Sequence, residues 1–405
     1  MTVSISKLSN GLTVATDVMP EAHSVALGVW VGVGTRDEPP EAQGVAHLVE
    51  HMLFKGTPTR TALQLSEAIE GVGGYMNAYT SREETAYYVR VLPEHAELAT
   101  DVLADMVQNS LLDPIELERE RNVIIQEIGQ AYDTPEDYIF DCAQEVAFPH
   151  QGLGWPILGQ AENIATMPRE QLTSYIDRFY GAQNMLLCAA GAITHASLVA
   201  LGERFFATLR PGQVITRPAA QYQGGQRFEP RDLEQNHLVI GFKAPGFHAP
   251  DFEASQLLAM VLGGGSASRL FQEVREKRGL AYHVSASGQS YSDSGTLQLY
   301  AGTNPDKAAE LQDVIWRELK RLPNDLTRAE FDRVQAQMRA SLIMGQETPG
   351  SRLEQLASHI LIWGRDMPMA ERLARLAAVT PDHITNLARH LQPQAATVVT
   401  LGAEG

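Results

Sequence analysis

The sequence predicts an α+β protein of two homologous domains, each a mostly antiparallel sheet covered by helices. Three observations carry that expectation: an order of strands and helices that occurs twice, a Pro-, Gly- and Gln-rich stretch between the copies, and a composition, 44% hydrophobic over 405 residues, that can build full cores. The first copy opens with a strand at 24–34 (SVALGVWVGVG). It continues through a helix (HLVEHMLF), a Gly-rich turn, alternating strands at 77–92 (NAYTSREETAYYVRVL) and a helix (AELATDVLADMVQN). The second copy runs as HLVIGFKAPG (237–246), the helix EASQLLAMVLGGG, the strands YHVSASGQSY and GTLQLYAGT, and the helix AAELQDVIWRELKRL.

The correspondence extends further. LDPIELERERNVIIQEIG (112–129) matches LTRAEFDRVQAQMRASLIMG (326–345), each a helix entered from a turn with an acid in its first turns. MLLCAAGAI (185–193), expected to be a buried strand followed by a capped helix, corresponds to AATVVTLGA (395–403), so each copy closes on a buried strand. A duplicated unit of about two hundred residues implies two similar domains rather than a solenoid. Alternating strands with helices between them predict helices on one face of each sheet. The stretch 209–230 (LRPGQVITRPAAQYQGGQRFEP) reads as an extended linker, which gives domains at 1–208 and 231–405. At the N-terminus, MTVSISKLSNGLTVA alternates like a first strand around an Asn10-Gly11 turn.

Charge and cysteine usage narrow the function classes. Lys and Arg number 32 against 49 Asp and Glu, a formal net charge of −17, which disfavours nucleic acid and anionic membranes and favours basic partners. Cys142 and Cys188 sit in apolar contexts without metal-site spacing, so a reducing compartment is expected. The N-terminus lacks the long apolar core of a signal peptide and no run approaches a membrane span, so a cytoplasmic protein is the expectation.

Within HLVEHMLFKGT (47–57), His47 and His51 stand at i and i+4 and share one helical face, with Glu50 beside them and Gly56 closing the helix. Two imidazoles so spaced can hold Zn²⁺ and leave places for a third ligand and a water. The order reverses that of HExxH, and Glu50 is placed to take a proton from that water. A catalytic zinc needs a third protein ligand, usually a carboxylate on another element. In ERERNVIIQEI, Glu120 and Glu127 are seven residues apart and face the same way, so spacing leaves both open as that ligand.

These residues resemble the pitrilysin or insulinase metallopeptidases (M16), and most closely the short-chain branch that includes the mitochondrial processing peptidase β subunit and its bacterial relatives. The resemblance covers essentially the whole chain. It implies a processing-peptidase-like fold and one zinc per chain held by His47, His51 and Glu127, with Glu50 as general base and Glu120 supporting the ligands from behind. In SRLFQEVREKRGLAYHVSA (268–286), Arg275 and Tyr282 match a pair that contacts substrate near the scissile bond, where such groups can stabilise an oxyanion. Asn77 and Ala78 match a substrate-side strand, whose open edge could pair with an extended peptide. Gly263, Gly264 and Gly265 resemble a shortened form of the glycine-rich loop of the processing peptidase α subunit, a loop proposed to engage substrate.

HLVEH aligns with a stretch near SQLLAM that has no metal ligands, so the second domain is expected to contribute Arg275 and Tyr282 only. Long-chain relatives carry two such halves. A 405-residue chain carries one, which implies a homodimer with a shared active site acting on peptide substrates in a closed chamber. The rival readings are a non-catalytic scaffold or helper subunit, whose signature would be a damaged metal motif, and a small zinc lyase, which would depend on a catalytic Cys.

Overall fold

Asn10 turns the chain back on itself: its Oδ1 accepts the Leu12 amide at 3.1 Å, Gly11 takes a φ of 99°, and the flanking residues pair antiparallel. The computed structural model describes residues 3–403; residues 1–2 and 404–405, the outer ends of the two expected domains, lie outside the described residues. The first part of the chain forms β1 (Val3–Lys7), β2 (Thr13–Val18), β3 (Val25–Val31), α1 (Val45–Leu53), α2 (Ala62–Glu70), β4 (Tyr75–Thr80), β5 (Thr85–Val91), α3 (Ala96–Asn109), α4 (Pro114–Tyr132), α5 (Pro135–Ala147), α6 (Ala161–Thr166), α7 (Arg169–Phe179), β6 (Met185–Gly191) and α8 (His195–Phe205). The rest forms β7 (Gly225–Pro230), β8 (Asn236–Ala244), α9 (Phe252–Gly263), β9 (Ala281–Ser290), β10 (Gly295–Thr303), α10 (Ala308–Asp325), α11 (Arg328–Met344), α12 (Pro349–Trp363), α13 (Met369–Ala378), α14 (Pro381–Ala388) and β11 (Thr397–Gly402).

The two sheets share one topology. The first has the order β1-β2-β6-β3-β5-β4 and the second β7-β11-β8-β10-β9, so that from β2 onward each strand has a counterpart. Each sheet is antiparallel except for one pair, β2 with β6 and β7 with β11. The α+β class and the duplicated, mostly antiparallel sheets are therefore as the sequence predicts.

Two finer expectations are corrected. Residues 225–230, read as the end of the linker, form β7, because their backbone completes the parallel edge of the second sheet beside β11. Helices also cover both faces of each sheet rather than one. In the first, Val25, Leu27, Val29 and Val31 face the main core, while Ala26 and Trp30 meet Leu353, Leu356 and Ala357 of α12 on the opposite face. In the second, Val239, Tyr300, Val399 and Leu401 pack against Ile139, Cys142 and Ala143 of α5. Strands covered on both sides need apolar residues at every position. This accounts for the continuous run MLLCAAG of β6, buried throughout.

The covering helices come from the opposite halves of the sequence. One compact unit contains residues up to Gly129 together with Trp155–Pro218 and Gly345–Asp366, and so takes in α12; the other contains Gln130–Gly154, Ala219–Met344 and the residues from Met367 on, and so takes in α5. Each unit has its own core.

In the first unit α12 is fastened by a buried ion pair. Arg352 donates from Nε to Asp17 Oδ2 at 2.6 Å and from Nη2 to Asp17 Oδ1, and both side chains are under 10% exposed. Arg352→Met would leave the Asp17 carboxylate buried and unpaired, at an expected cost of about 3–5 kcal/mol. By contrast, Arg204→Met, which opens the exposed pair with Glu97, is expected to cost under about 1 kcal/mol. Urea unfolding of both variants checks this, and equal midpoints would refute it.

Candidate metal centre

The metal-motif helix starts at a crowded point. Gly44 caps α1 with a φ of 93°, and a Cβ there would stand 2.7 Å from Ile164 Cδ1 and 3.0 Å from the Gly159 Cα, so only glycine fits. Glycine offers no side-chain cap, and Glu38 supplies one from upstream: its Oε2 accepts the Gly44 amide at 2.9 Å and its Oε1 the Ala46 amide at 2.8 Å. Burial pushes the Glu38 carboxyl up to about 8, against the two amide bonds that favour its charge. Val45, Ala46, Leu48, Val49, Met52 and Leu53 are all buried in the core. The remaining side of the helix carries the half-buried His47, Glu50 and His51.

Glu127 of α4 meets that side. Its Oε2 lies 3.9 Å from His47 Nε2 and 3.7 Å from His51 Nε2, and the three ligand atoms all lie within 4.8 Å of one another. Ligands about 2.0–2.2 Å from a tetrahedral zinc stand roughly 3.3 Å apart, so this donor set fits zinc after a small inward movement. Glu120, seven residues earlier on α4, takes a different place: its Oε2 accepts from His51 Nδ1 at 3.0 Å and its Oε1 from Lys55 Nζ at 2.8 Å. With Nδ1 donating to a carboxylate, Nε2 of His51 keeps its lone pair for a metal. His47 Nδ1 is buried without a hydrogen-bond partner among the described residues, so only one of the two imidazoles is oriented from behind.

Electrostatics separates these groups. Burial, helped by the neighbouring His51, lowers His47 to about 4 and keeps it neutral near pH 7, as a ligand must be. Burial also pulls His51 down, but its hydrogen bond to Glu120 and the charges of Glu127, Glu120 and Glu50 outweigh that and raise it. For Glu120, burial is outweighed by the bonds from His51 and Lys55, and its pKa is lowered. Burial raises Glu50 despite the hydroxyl of Thr80, which donates to Glu50 Oε2 at 2.5 Å. A raised carboxylate is the better base near neutrality. Neither Thr80 nor Lys55 was singled out from sequence. Lys55 stands four residues after His51, a spacing that signals a shared face, whereas Thr80 carries no local signal.

Asn77 and Ala78 lie on β4, the edge strand, which packs beside α1. The hairpin closes with the Ser81 amide bonded to the Glu84 carbonyl at 2.8 Å, and antiparallel alternation then points the Ala78 amide to the open edge. Asn77 Oδ1 accepts that amide at 2.9 Å.

Arg275 and Tyr282 belong to the second unit. Arg275 lies in the last turn of a π-helical segment (Phe271–Glu276), a feature common at functional sites, and its guanidinium sits 4.4 Å from the Tyr282 ring centroid and 4.8 Å from that of Phe271. Glu273 is occupied by Lys277 and Arg278, and among the described residues Arg275 has a distant Glu276 at 3.9 Å as its acidic partner. Tyr282 is 78% exposed at the start of β9. Gly263 ends α9 where a Cβ would lie 2.2 Å from the Ala286 amide nitrogen, so close helix–sheet packing accounts for glycine there. Gly264 caps α9, and Gly265 follows with open space around its Cα.

Comparison with known proteins agrees with this architecture. Residues 13–161 match the family described as Insulinase (Peptidase family M16), and residues 166–338 match the Peptidase M16 inactive domain. An uncharacterized zinc protease of Rickettsia felis is 39% identical over 399 residues, covering 98% of this chain and 97% of that protein. The uncharacterized zinc protease YmxG of Bacillus subtilis is 35% identical, covering 94% of each. Among solved structures, a protease from Helicobacter pylori superimposes with a TM-score of 0.93 over 99% of both chains at 21% identity, a likeness of fold.

The buried cap at Glu38 generates a pH dependence. The unfolded chain releases this proton near 4.5 and the folded chain holds it to about 8, so between those values the folded state binds more protons and loses stability as pH rises. From about pH 5 to about pH 8 the wild type is expected to lose on the order of a few kcal/mol more than Glu38→Gln, read from urea midpoints. Parallel profiles for the two proteins would refute this.

Proposed function

The chain belongs to the insulinase family of peptidases, M16, and from that premise we propose that it is a zinc-dependent endopeptidase cleaving peptides or unfolded segments within a closed chamber. The observation that carries this reading is the convergence of His47, His51 and Glu127 beside a half-buried Glu50 whose carboxyl pKa is raised by burial. Zinc bound by those three residues would supply a Lewis acid for the scissile carbonyl and a more acidic water. Glu50 accepts the proton of the attacking water and returns it to the leaving amine. Thr80 holds one Glu50 oxygen, which leaves the other for that transfer. Glu120, itself held by Lys55, keeps His51 turned toward the metal.

Substrate enters this reading as an added strand on β4. An extended peptide takes the Ala78 amide in place of the Asn77 side chain, so recognition follows backbone conformation more than sequence. Arg275 and Tyr282 steady substrate and the developing oxyanion, a role supported by their mutual stacking and by the exposure of Tyr282. Gly264 and Gly265 are assigned to substrate contact, Gly263 primarily to packing. The net charge of −17 favours basic, presequence-like peptides. Two buried free thiols, Cys142 and Cys188, suit a reducing, cytoplasmic setting, and among the described residues no helix is long and apolar enough to cross a membrane. The functional form is taken to be a homodimer whose subunits share Arg275 and Tyr282.

Wild type is expected to hold about one zinc per chain, His51→Ala none, and Glu50→Gln a full complement, with cleavage of a quenched basic peptide lowered at least about 100-fold in Glu50→Gln. Bound metal with no cleavage by wild type would instead favour the helper-subunit reading. Mixing Glu50→Gln with Tyr282→Phe tests the shared site: recovered activity supports it, and a mixture as inactive as its components counts against it.

A further inference from the structure

The geometry points to Glu38 as a positioning residue of the metal centre, braced by Arg217 from the stretch between the two repeats. The inference rests on the metal-binding reading above. Glu38 is 5% exposed, and each of its carboxylate oxygens is committed to one amide at the start of α1, those of Gly44 and Ala46. Ala46 immediately precedes His47, so a displacement of the carboxylate is passed to the first ligand without an intervening residue. Helix caps ordinarily come from the residue adjoining the helix. This one comes from six residues upstream, and it can fix α1 only if its own backbone is fixed.

The neighbours of Glu38 provide that restraint. Asp37 accepts Arg217 Nε on Oδ1 and Arg217 Nη2 on Oδ2, both at 2.8 Å, and also takes the Gly34 amide at 3.1 Å. Arg217 Nη2 further donates to the Gly32 carbonyl at 2.8 Å and the Glu83 carbonyl at 3.0 Å. Arg36 donates to Glu83 at 2.6 Å and to the Pro218 carbonyl at 2.9 Å. Three consecutive residues are thus held: Arg36 and Asp37 by the segment at 217–218, and Glu38 by the metal helix. The planar guanidinium of Arg217 serves several acceptors at once, which a lysine ammonium in its place could not reproduce.

The consequence reaches metal affinity as well as stability. His47 and His51 ride on α1, whereas Glu127 rides on α4 and does not follow when α1 shifts. A rotation or fraying at the start of α1 therefore spoils the three-ligand geometry even in folded protein.

The test is the zinc dissociation constant of the full chain, measured by competition with a chromogenic chelator, for wild type, Glu38→Gln, Arg217→Lys and Thr194→Ala. Thr194 caps α8 through the Ser197 amide and is the control for a lost cap elsewhere in the same unit. Circular dichroism establishes that each protein is folded. Glu38→Gln is expected to weaken zinc binding about tenfold or more, Arg217→Lys to weaken it in the same direction, and Thr194→Ala to lower the melting temperature with zinc affinity unchanged. Affinities within about twofold of wild type for Glu38→Gln and Arg217→Lys would overturn the inference, as would an equal loss in Thr194→Ala. Should Glu38→Gln not fold, Arg217→Lys decides alone. A wild type that binds no zinc overturns the metal reading together with this one. Zinc binding without peptidase activity, with the variants weakened as expected, leaves this inference standing and removes only the peptidase.

Discussion

A nitrogen of His47, a nitrogen of His51 and a carboxylate oxygen of Glu127, carried by two helices, lie within 4.8 Å of one another, and the packing of the first unit has to bring them there. His47 and His51 come paired, because helical geometry sets one turn between them. Glu127 does not, so its place depends on how α4 lies against α1. The apolar residues of α1 hold that relation by facing the core: Leu48, Val49, Met52 and Leu53 are fully buried. Ile124 of α4 reaches the same core. The polar side of α1 is left half-buried, dry enough to shift Glu50 and His47 from their ordinary ionisation.

The sheet beneath is buried on both of its faces. Strands β3 and β6 are apolar at every position because helices cover both faces, and the second cover comes from the other half of the chain. The chain passes between the units after residues 129, 154, 218, 344 and 366. A fold connected so often cannot form one unit from a single contiguous stretch, and the buried pair Asp17–Arg352 joins residues 335 apart within one core. Asp17 would be a costly residue on a central strand without that partner.

Much of this was legible in sequence, and the boundary of legibility is physical. The duplicated topology could be read because sheet order follows strand and helix order in both copies. The His47–Glu50–His51 face could be read because one helical turn is a fixed spacing. Glu120 and Glu127 could not be told apart, since residues seven apart on a helix share a face and the same carboxylate; their separation appears only in space, one at His51 Nδ1 and the other at the two Nε2 atoms. The exchange of α5 and α12 was hidden because an amphipathic helix shows that it covers a sheet and not which one. Residues 225–230 escaped because β7 is an edge strand with Pro, Gly and Gln, which resembles a linker until its partner β11 is known. Glu38, Thr80 and Arg217 act across 6, 30 and 180 residues of chain, beyond any local pattern.

The second unit shows the same strand order around a helix without histidines. Its counterpart of α1 is α9, where the half-buried positions one turn apart are Gln256 and Met260 in place of the two histidines. Both are used for packing: Gln256 lies against Gly288 on β9, and the Met260 backbone lies so close to Gly264 that a Cβ there would stand 2.6 Å from its Cα. Helix and sheet approach until Gly263 meets Ala286, where a Cβ on the glycine would stand 2.2 Å from the Ala286 amide nitrogen. Asp251, at the start of α9, makes no side-chain capping bond, whereas Glu38 accepts two amides at the start of α1. In this unit Arg275 of the π-helical turn lies over Tyr282 near the start of β9. The two units thus share one strand order, while the buried Glu38 that binds the start of α1 accompanies the helix that carries His47 and His51.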